Sequence, residues 1–178
     1  ALNSLGVKTI PGPTAARKIH DLFMLPFGTI CTAVATFVSQ NHGAGKPIRV
    51  RAGVRAGLIL GTGWSVITLL LTLTIGKSAV QLLTGTQSRE VIETAFQYLI
   101  WNVPFYASLN VLLVMRNSVQ GLGKKIAPIA ASLIELIGKF AGAYLLTPML
   151  GYLGICLIEP ITWIATIPIV WISYKKAC

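Results

Sequence analysis

Three stretches of this 178-residue chain carry no Asp, Glu, Lys or Arg at all: Leu22 to Gly45, Ala56 to Gly76 and Thr94 to Met115. A helix needs about 20 apolar residues to cross the hydrocarbon core of a bilayer, so each stretch suffices for one span. From Ile126 to Tyr174 the only charges are Glu135, Lys139 and Glu159. The segment "TPMLGYLG" (147–154) divides that last stretch in two, because its Pro and Gly residues mark a turn. The pattern predicts an all-α membrane protein with five transmembrane helices near 20–40, 53–75, 94–116, 127–147 and 151–174. With 54% hydrophobic and 11% charged residues, the chain falls far from soluble domains, which carry about a quarter charged.

Residues 1–18, "ALNSLGVKTIPGPTAARK", are expected to be the end of a preceding helix and a loop, so that 19–178 forms the five-helix bundle. With no initiator Met and no signal-peptide pattern, the chain is expected to belong to something longer. The segment "KSAVQLLTGTQSREVIE" is too short to cross and is expected to be a loop with a half-buried turn around Val80 to Leu83. Glycines in "GLILGTG" and "GKFAGAY" are expected at close helix contacts. Pro104 is an expected kink, and Pro26 a kink or a gating point.

The net charge of +10 would suit a nucleic-acid partner, but its placement argues otherwise. "GAGK" at 43–46 resembles a phosphate loop, yet that motif would need Gly at Gln40 and Ser or Thr at Pro47. Between Asn41 and Gly57 there are no aromatic residues for base stacking. Gly43, Gly45 and Lys46 are therefore expected in a tight membrane turn, with no nucleic-acid partner. If that turn is cytoplasmic, alternation of the spans puts Lys46, Arg49, Arg51, Arg55, Arg116, Lys124, Lys125, Lys175 and Lys176 on one side with no acid. Lys8, Arg17, Lys18, Lys77 and Arg89 fall on the other, beside Asp21, Glu90 and Glu93. The positive-inside rule then places the C-terminus in the cytoplasm.

Ionisable groups inside a span are costly and face a bundle interior or a wet cavity. Glu135 and Lys139 lie four residues apart and are expected to pair. At 1.5 Å per residue, Glu135 lies about 12 Å from one end of its span and Glu159 about 12 Å from the opposite face. Both approach the midplane, where secondary transporters bind coupling ions and substrates. Glu135, Lys139 and Glu159 are thus candidates for a coupling-ion or proton site, or else for structural neutralisation. In the third span Tyr98, Asn102, Tyr106 and Asn110 recur every four residues. They are expected to line a cavity for an amphiphilic molecule, the alternative being hydrogen bonds between helices. Neither a metal site nor a disulfide framework is suggested by the scattered Cys31, Cys156, Cys178, His20 and His42. No set of catalytic groups occurs in a loop, so no enzyme and no cofactor are expected.

The order of "TAARKIHDLFMLPFG", "FVSQNHGAGK", "YLIWNVPFY", "RNSVQGLGKKIAPIAASLIEL" and "LLTPMLGYLGICLIEPITW" resembles the C-terminal lobe of a MATE (multidrug and toxic compound extrusion) transporter. The resemblance implies most of one six-helix lobe of a twelve-helix antiporter in an inner or plasma membrane. It implies export of organic cations or amphiphilic drugs in exchange for sodium ions or protons. It also implies a partner N-terminal lobe, which the sequence lacks together with the acidic coupling residue of that lobe's first helix. An Asp that some members carry on the tenth helix is replaced here by the neighbourhood of Asn102 and Asn110. A lipid-linked oligosaccharide flippase of the same superfamily and a non-transporting membrane fragment are the alternatives.

Overall fold

The computed structural model describes residues 11–85 and 87–177. The described residues form helices joined by short turns, with no strand among them. Helix α1 (Pro11–Gly43) is followed by α2 (Pro47–Thr84), α3 (Arg89–Asn102), a 3-10 turn (Val103–Phe105), α4 (Tyr106–Gly121), α5 (Ile126–Leu150) and α6 (Tyr152–Ala177). Five helical stretches are long and apolar enough to cross a membrane, α3 and α4 together making the third.

Two boundaries differ from the sequence reading. Residues 11–18 belong to α1 rather than to a loop, and Val80 to Leu83 end α2 instead of forming a separate turn. The rest of the expected N-terminal segment lies outside the described residues. The cause is length: α1 with 33 residues and α2 with 38 measure about 50 and 57 Å at 1.5 Å per residue. Both exceed a hydrocarbon core of about 30 Å. Their surplus turns carry charge and so escape a reading based on uncharged runs. Lys77 on the last turns of α2 pairs with Glu93 on α3 at 2.6 Å.

Pro104 acts where expected. It has no N–H to donate to the carbonyl four residues back, and the third span breaks there into a 3-10 turn.

Two tight turns share one design. At Gly45 (φ 67°) the Lys46 N–H donates to Asn41 O at 2.9 Å and the Gly45 N–H to His42 O at 3.0 Å. At Gly123 (φ 76°) the Lys124 N–H donates to Val119 O at 3.1 Å and the Gly123 N–H to Gln120 O at 2.9 Å. Both are Schellman closures, in which glycine takes the left-handed conformation that a Cβ disfavours. "GAGK" is therefore a helix-ending device with a cation after it, and "GLGK" repeats it. The C-terminal end of α6 meets the first of these turns, since Ala177 lines one cleft with His42, Gly45 and Lys46. Both turns and Lys175 and Lys176 thus share one end of the bundle, here called the basic end.

The core centres on Tyr106, fully buried with Phe27, Ile19, Leu99, Leu112 and Met115. Helix α1 packs on α2, α3 and α4; α6 packs on α4 and α5; α5 leans almost wholly on α6. Small residues set that last contact, for a Cβ on Gly138 would meet Thr162 and one on Gly142 would meet Ile158. Gly57 and Gly61 are likewise close contacts, whereas Gly63 faces open space. The outer surface of α5 exposes Ile129, Leu133, Ile137, Phe140 and Leu145. Such a continuous apolar face is untenable in water and natural against lipid, so the protein is a multi-pass membrane protein.

Candidate substrate and coupling-ion site

Helix α6 begins with a turn at Gly151 and brings Glu159 about two turns into the span. The Glu159 side chain is 17% exposed and has partners on two other helices. The Tyr98 hydroxyl of α3 donates to Oε2 at 2.8 Å, and the Lys139 ammonium of α5 lies 3.7 Å from Oε1. Sequence spacing gave Glu159 no partner; both arrive only when α3, α5 and α6 pack together.

The expected pair within α5 does not form. Glu135 pairs instead with Arg116 on the last turns of α4, each side chain being 18% exposed. The reason is a balance of four groups. An internal Glu135–Lys139 pair would leave Arg116 and Glu159 mostly buried without an opposite charge, a costly state for charges out of water. The two cross-helix pairs neutralise all four. Glu135 thus lies toward the basic end, away from Glu159, and the three candidate ion-site residues separate into two places.

Glu159, Tyr98 and Lys139 form one wall of a cavity of about 460 Å³. Ile155 and Ile158 add an apolar lining, and α1 contributes a second wall with Thr14, Arg17, Lys18 and Asp21. The α1 residues recur at three- and four-residue spacing and therefore share a face. That periodicity is the one signal in the sequence that could have placed Arg17, Lys18 and Asp21 beside the candidate site. His20, on the same turn of α1 as Lys18 and Asp21, contributes differently: its Nδ1 shares a 2.7 Å hydrogen bond with the Tyr106 hydroxyl.

The row on the third span divides. Tyr98 lines the cavity. Asn102, Tyr106 and Asn110 are fully buried and hold helices together instead. Asn102 Nδ2 donates to Tyr98 O at 3.0 Å and to Cys156 O at 3.1 Å, tying α3 to α6. Asn110 Nδ2 donates to Leu58 O at 3.0 Å, tying α4 to α2. Tyr106 stands edge-on to His20, Phe23, Phe27 and Trp163, with ring centroids 5.5 to 6.5 Å away. Asn102 still lies on α3, one turn beyond Tyr98, and is turned against α6; the 3-10 turn then separates Tyr106 and Asn110 from that helix.

Gly43, Gly45 and Lys46 lie at the basic end, remote from this cavity in sequence and in the fold.

The cavity has the volume and the mixed lining of a small-molecule site. Cavities that bind small organic molecules run to about 300–1,000 Å³ and combine apolar walls with a few placed polar groups. The carboxylate of Glu159 is a charge whose neutralisation depends on what stands beside it.

Comparison with known proteins gives one result. The family model described as MatE matches residues 1–145. No match was found among curated proteins or among solved structures. The matched region takes in α1 to α4 and most of α5, while Glu159 falls beyond it. A match over most of the length, on a bundle of helices built for a bilayer, shows that the chain belongs to the MatE family of membrane transporters.

Proposed function

We propose that this chain is part of a secondary active antiporter that exports drugs or other organic cations and amphiphiles in exchange for sodium ions or protons. The observation that carries the reading is Glu159, set inside a span at the wall of a drug-sized cavity and held by Tyr98 and Lys139. Exchange requires that cargo and coupling ion exclude one another. A single carboxylate does this, since a proton, a sodium ion and the cationic group of a cargo compete for the same oxygens. Lys139 serves as the internal counter-ion when none is bound, so the empty site is not left with an unpaired charge. The basic end, with Lys46, Arg49, Lys124, Lys125, Lys175 and Lys176, faces the cytoplasm by the positive-inside rule. The cavity then lies toward the outer face, and the bundle works against an N-terminal lobe as alternating access requires.

In the full-length protein, Glu159→Gln is expected to reduce drug efflux from cells by an order of magnitude while membrane expression is retained. Unchanged efflux would remove Glu159 from the mechanism. Glu135 with Arg116 is assigned to structure, and Glu135→Gln should lower stability more than the coupling ratio.

A second reading has one observation in its favour. Arg17, Lys18 and Lys139 line the cavity, and a basic cavity suits the pyrophosphate of a lipid-linked oligosaccharide. Size weighs against it, because about 460 Å³ suits a drug-sized molecule better than a diphosphate with its sugars. Flipping of such a lipid by the reconstituted full-length protein would decide for it.

A further inference from the structure

The charges around the cavity extend the reading of its cargo beyond a simple organic cation. Three cations, Arg17, Lys18 and Lys139, face two carboxylates, Asp21 and Glu159. Lys139 is already committed to Glu159. Among the described residues, no ion pair involves Arg17, Lys18 or Asp21. The α1 wall therefore offers two cations against one acid, in the same cavity as an α6 acid that carries its own counter-ion.

A bare monocation bound at Glu159 would displace the Lys139 ammonium and then share the cavity with three like charges. A bare anion would be met by Arg17 and Lys18, but it would leave the Glu159–Lys139 pair untouched, so its binding would not compete with an ion at Glu159. A molecule carrying both charges satisfies both walls. Its amine takes the Glu159 carboxylate, its anionic group takes Arg17 and Lys18, and the net charge of the cavity is unchanged. Arg17 suits the second role, since a guanidinium holds a carboxylate or phosphonate through two parallel N–H bonds. Ile155 and Ile158 cover the apolar part.

We infer that this cavity takes a zwitterionic amphiphile, its amine on Glu159 and its anionic group on Arg17 and Lys18. The inference rests on the transport reading for the route the molecule follows, and on the cavity alone for what binds there.

The test uses a matched pair of probes: a cationic xanthene dye esterified at its benzoate, and its zwitterionic free acid. The two differ by one methyl ester and therefore by one negative charge. Binding to the purified full-length protein is read by fluorescence anisotropy, and movement is read separately as dye flux in liposomes. The free acid is expected to bind about tenfold tighter than the ester, the effect of one charged hydrogen-bonding contact. Arg17→Gln with Lys18→Gln should erase that preference, and Arg17→Lys should retain part of it. Glu159→Gln should weaken both dyes alike, because both carry the cationic group. Equal binding of the two dyes by the wild-type protein, a preference that survives the double substitution, or binding of neither dye would overturn the inference. Preferential binding of the free acid with no flux of either dye would uphold the inference and count against export. Flux of both dyes at equal rates with equal affinities would do the reverse.

Discussion

The pairing of Glu135 with Arg116 rather than with Lys139 can be tested by its energy. Both side chains of the Arg116–Glu135 pair are 18% exposed, so solvent screens them weakly. Two unit charges about 4 Å apart interact by about 4 kcal/mol at an effective dielectric constant near 20. Subtracting part of this for lost hydration leaves a coupling of about 2 kcal/mol. An exposed pair one helical turn apart contributes only about 0.3–0.5 kcal/mol. Two double-mutant cycles separate the cases. In one, Glu135→Gln is combined with Arg116→Gln; in the other, with Lys139→Gln. Stability of the full-length protein is read from reversible denaturation in mixed detergent micelles. The first cycle should return about 2 kcal/mol of coupling and the second less than about 0.5 kcal/mol. Each single substitution at Glu135 or Arg116 should cost more than the double, because it strands the partner's charge. Coupling carried by the Lys139 cycle would refute both the cross-helix pairing and the four-group balance behind it.

Other consequences follow from single contacts. A Cβ on Gly61 would run into the Asn110 side chain while Gly63 has open space, so Gly61→Ala should destabilise the bundle by about 1–3 kcal/mol. Gly63→Ala should be neutral or stabilising by up to about 1 kcal/mol, and thermal unfolding of the two variants compares them directly. Tyr106→Phe removes the hydrogen bond to His20 but keeps the four edge contacts, so it should cost about 1 kcal/mol, whereas Tyr106→Ala should cost about 3–5 kcal/mol. Lys176→Cys in an otherwise thiol-free protein should react with an impermeant maleimide only after the cytoplasmic face is opened; labelling of intact cells would reverse the orientation assigned to the basic end.

The number of spans was legible because a bilayer imposes a length and an absence of charge, and both are one-dimensional properties. The kink at Pro104 was legible for a similar reason, since a missing N–H acts on its own helix. Helix ends were less so. The charged turns of α1 around Arg17 and of α2 around Lys77 extend past the hydrocarbon, where hydropathy no longer marks them. Of the polar row, Asn102, Tyr106 and Asn110 sit against neighbouring helices rather than on the cavity that Tyr98 lines. Asn102, one turn beyond Tyr98 on the same helix, reaches Cys156 O on α6, and the 3-10 turn at Val103–Phe105 interrupts the helix before Tyr106 and Asn110. No local pattern could report which neighbouring helix each amide would reach.

The ion pairs show where such reading ends in physical terms. Helices α5 and α6 form a close hairpin through Gly138 and Gly142, and α5 touches the remainder of the bundle only lightly. The hairpin is joined to the α1–α4 block through one face of α6, and by charge at two places: Arg116 to Glu135 toward the basic end, and Tyr98 to Glu159 toward the other. The cavity lies along that same seam, with Arg17 and Tyr98 contributed by the block and Lys139 and Glu159 by the hairpin. Glu159 therefore stands at the interface between the two packing units, although its pair with Lys139 lies within the hairpin. If Lys139 leaves the carboxylate for a bound ion or cargo, its own helix loses a contact that fastens the hairpin internally, while Tyr98 still holds α6 to the block. The cavity at the seam thus depends on four residues from four helices, Arg17, Tyr98, Lys139 and Glu159, and is written in no single segment of the sequence.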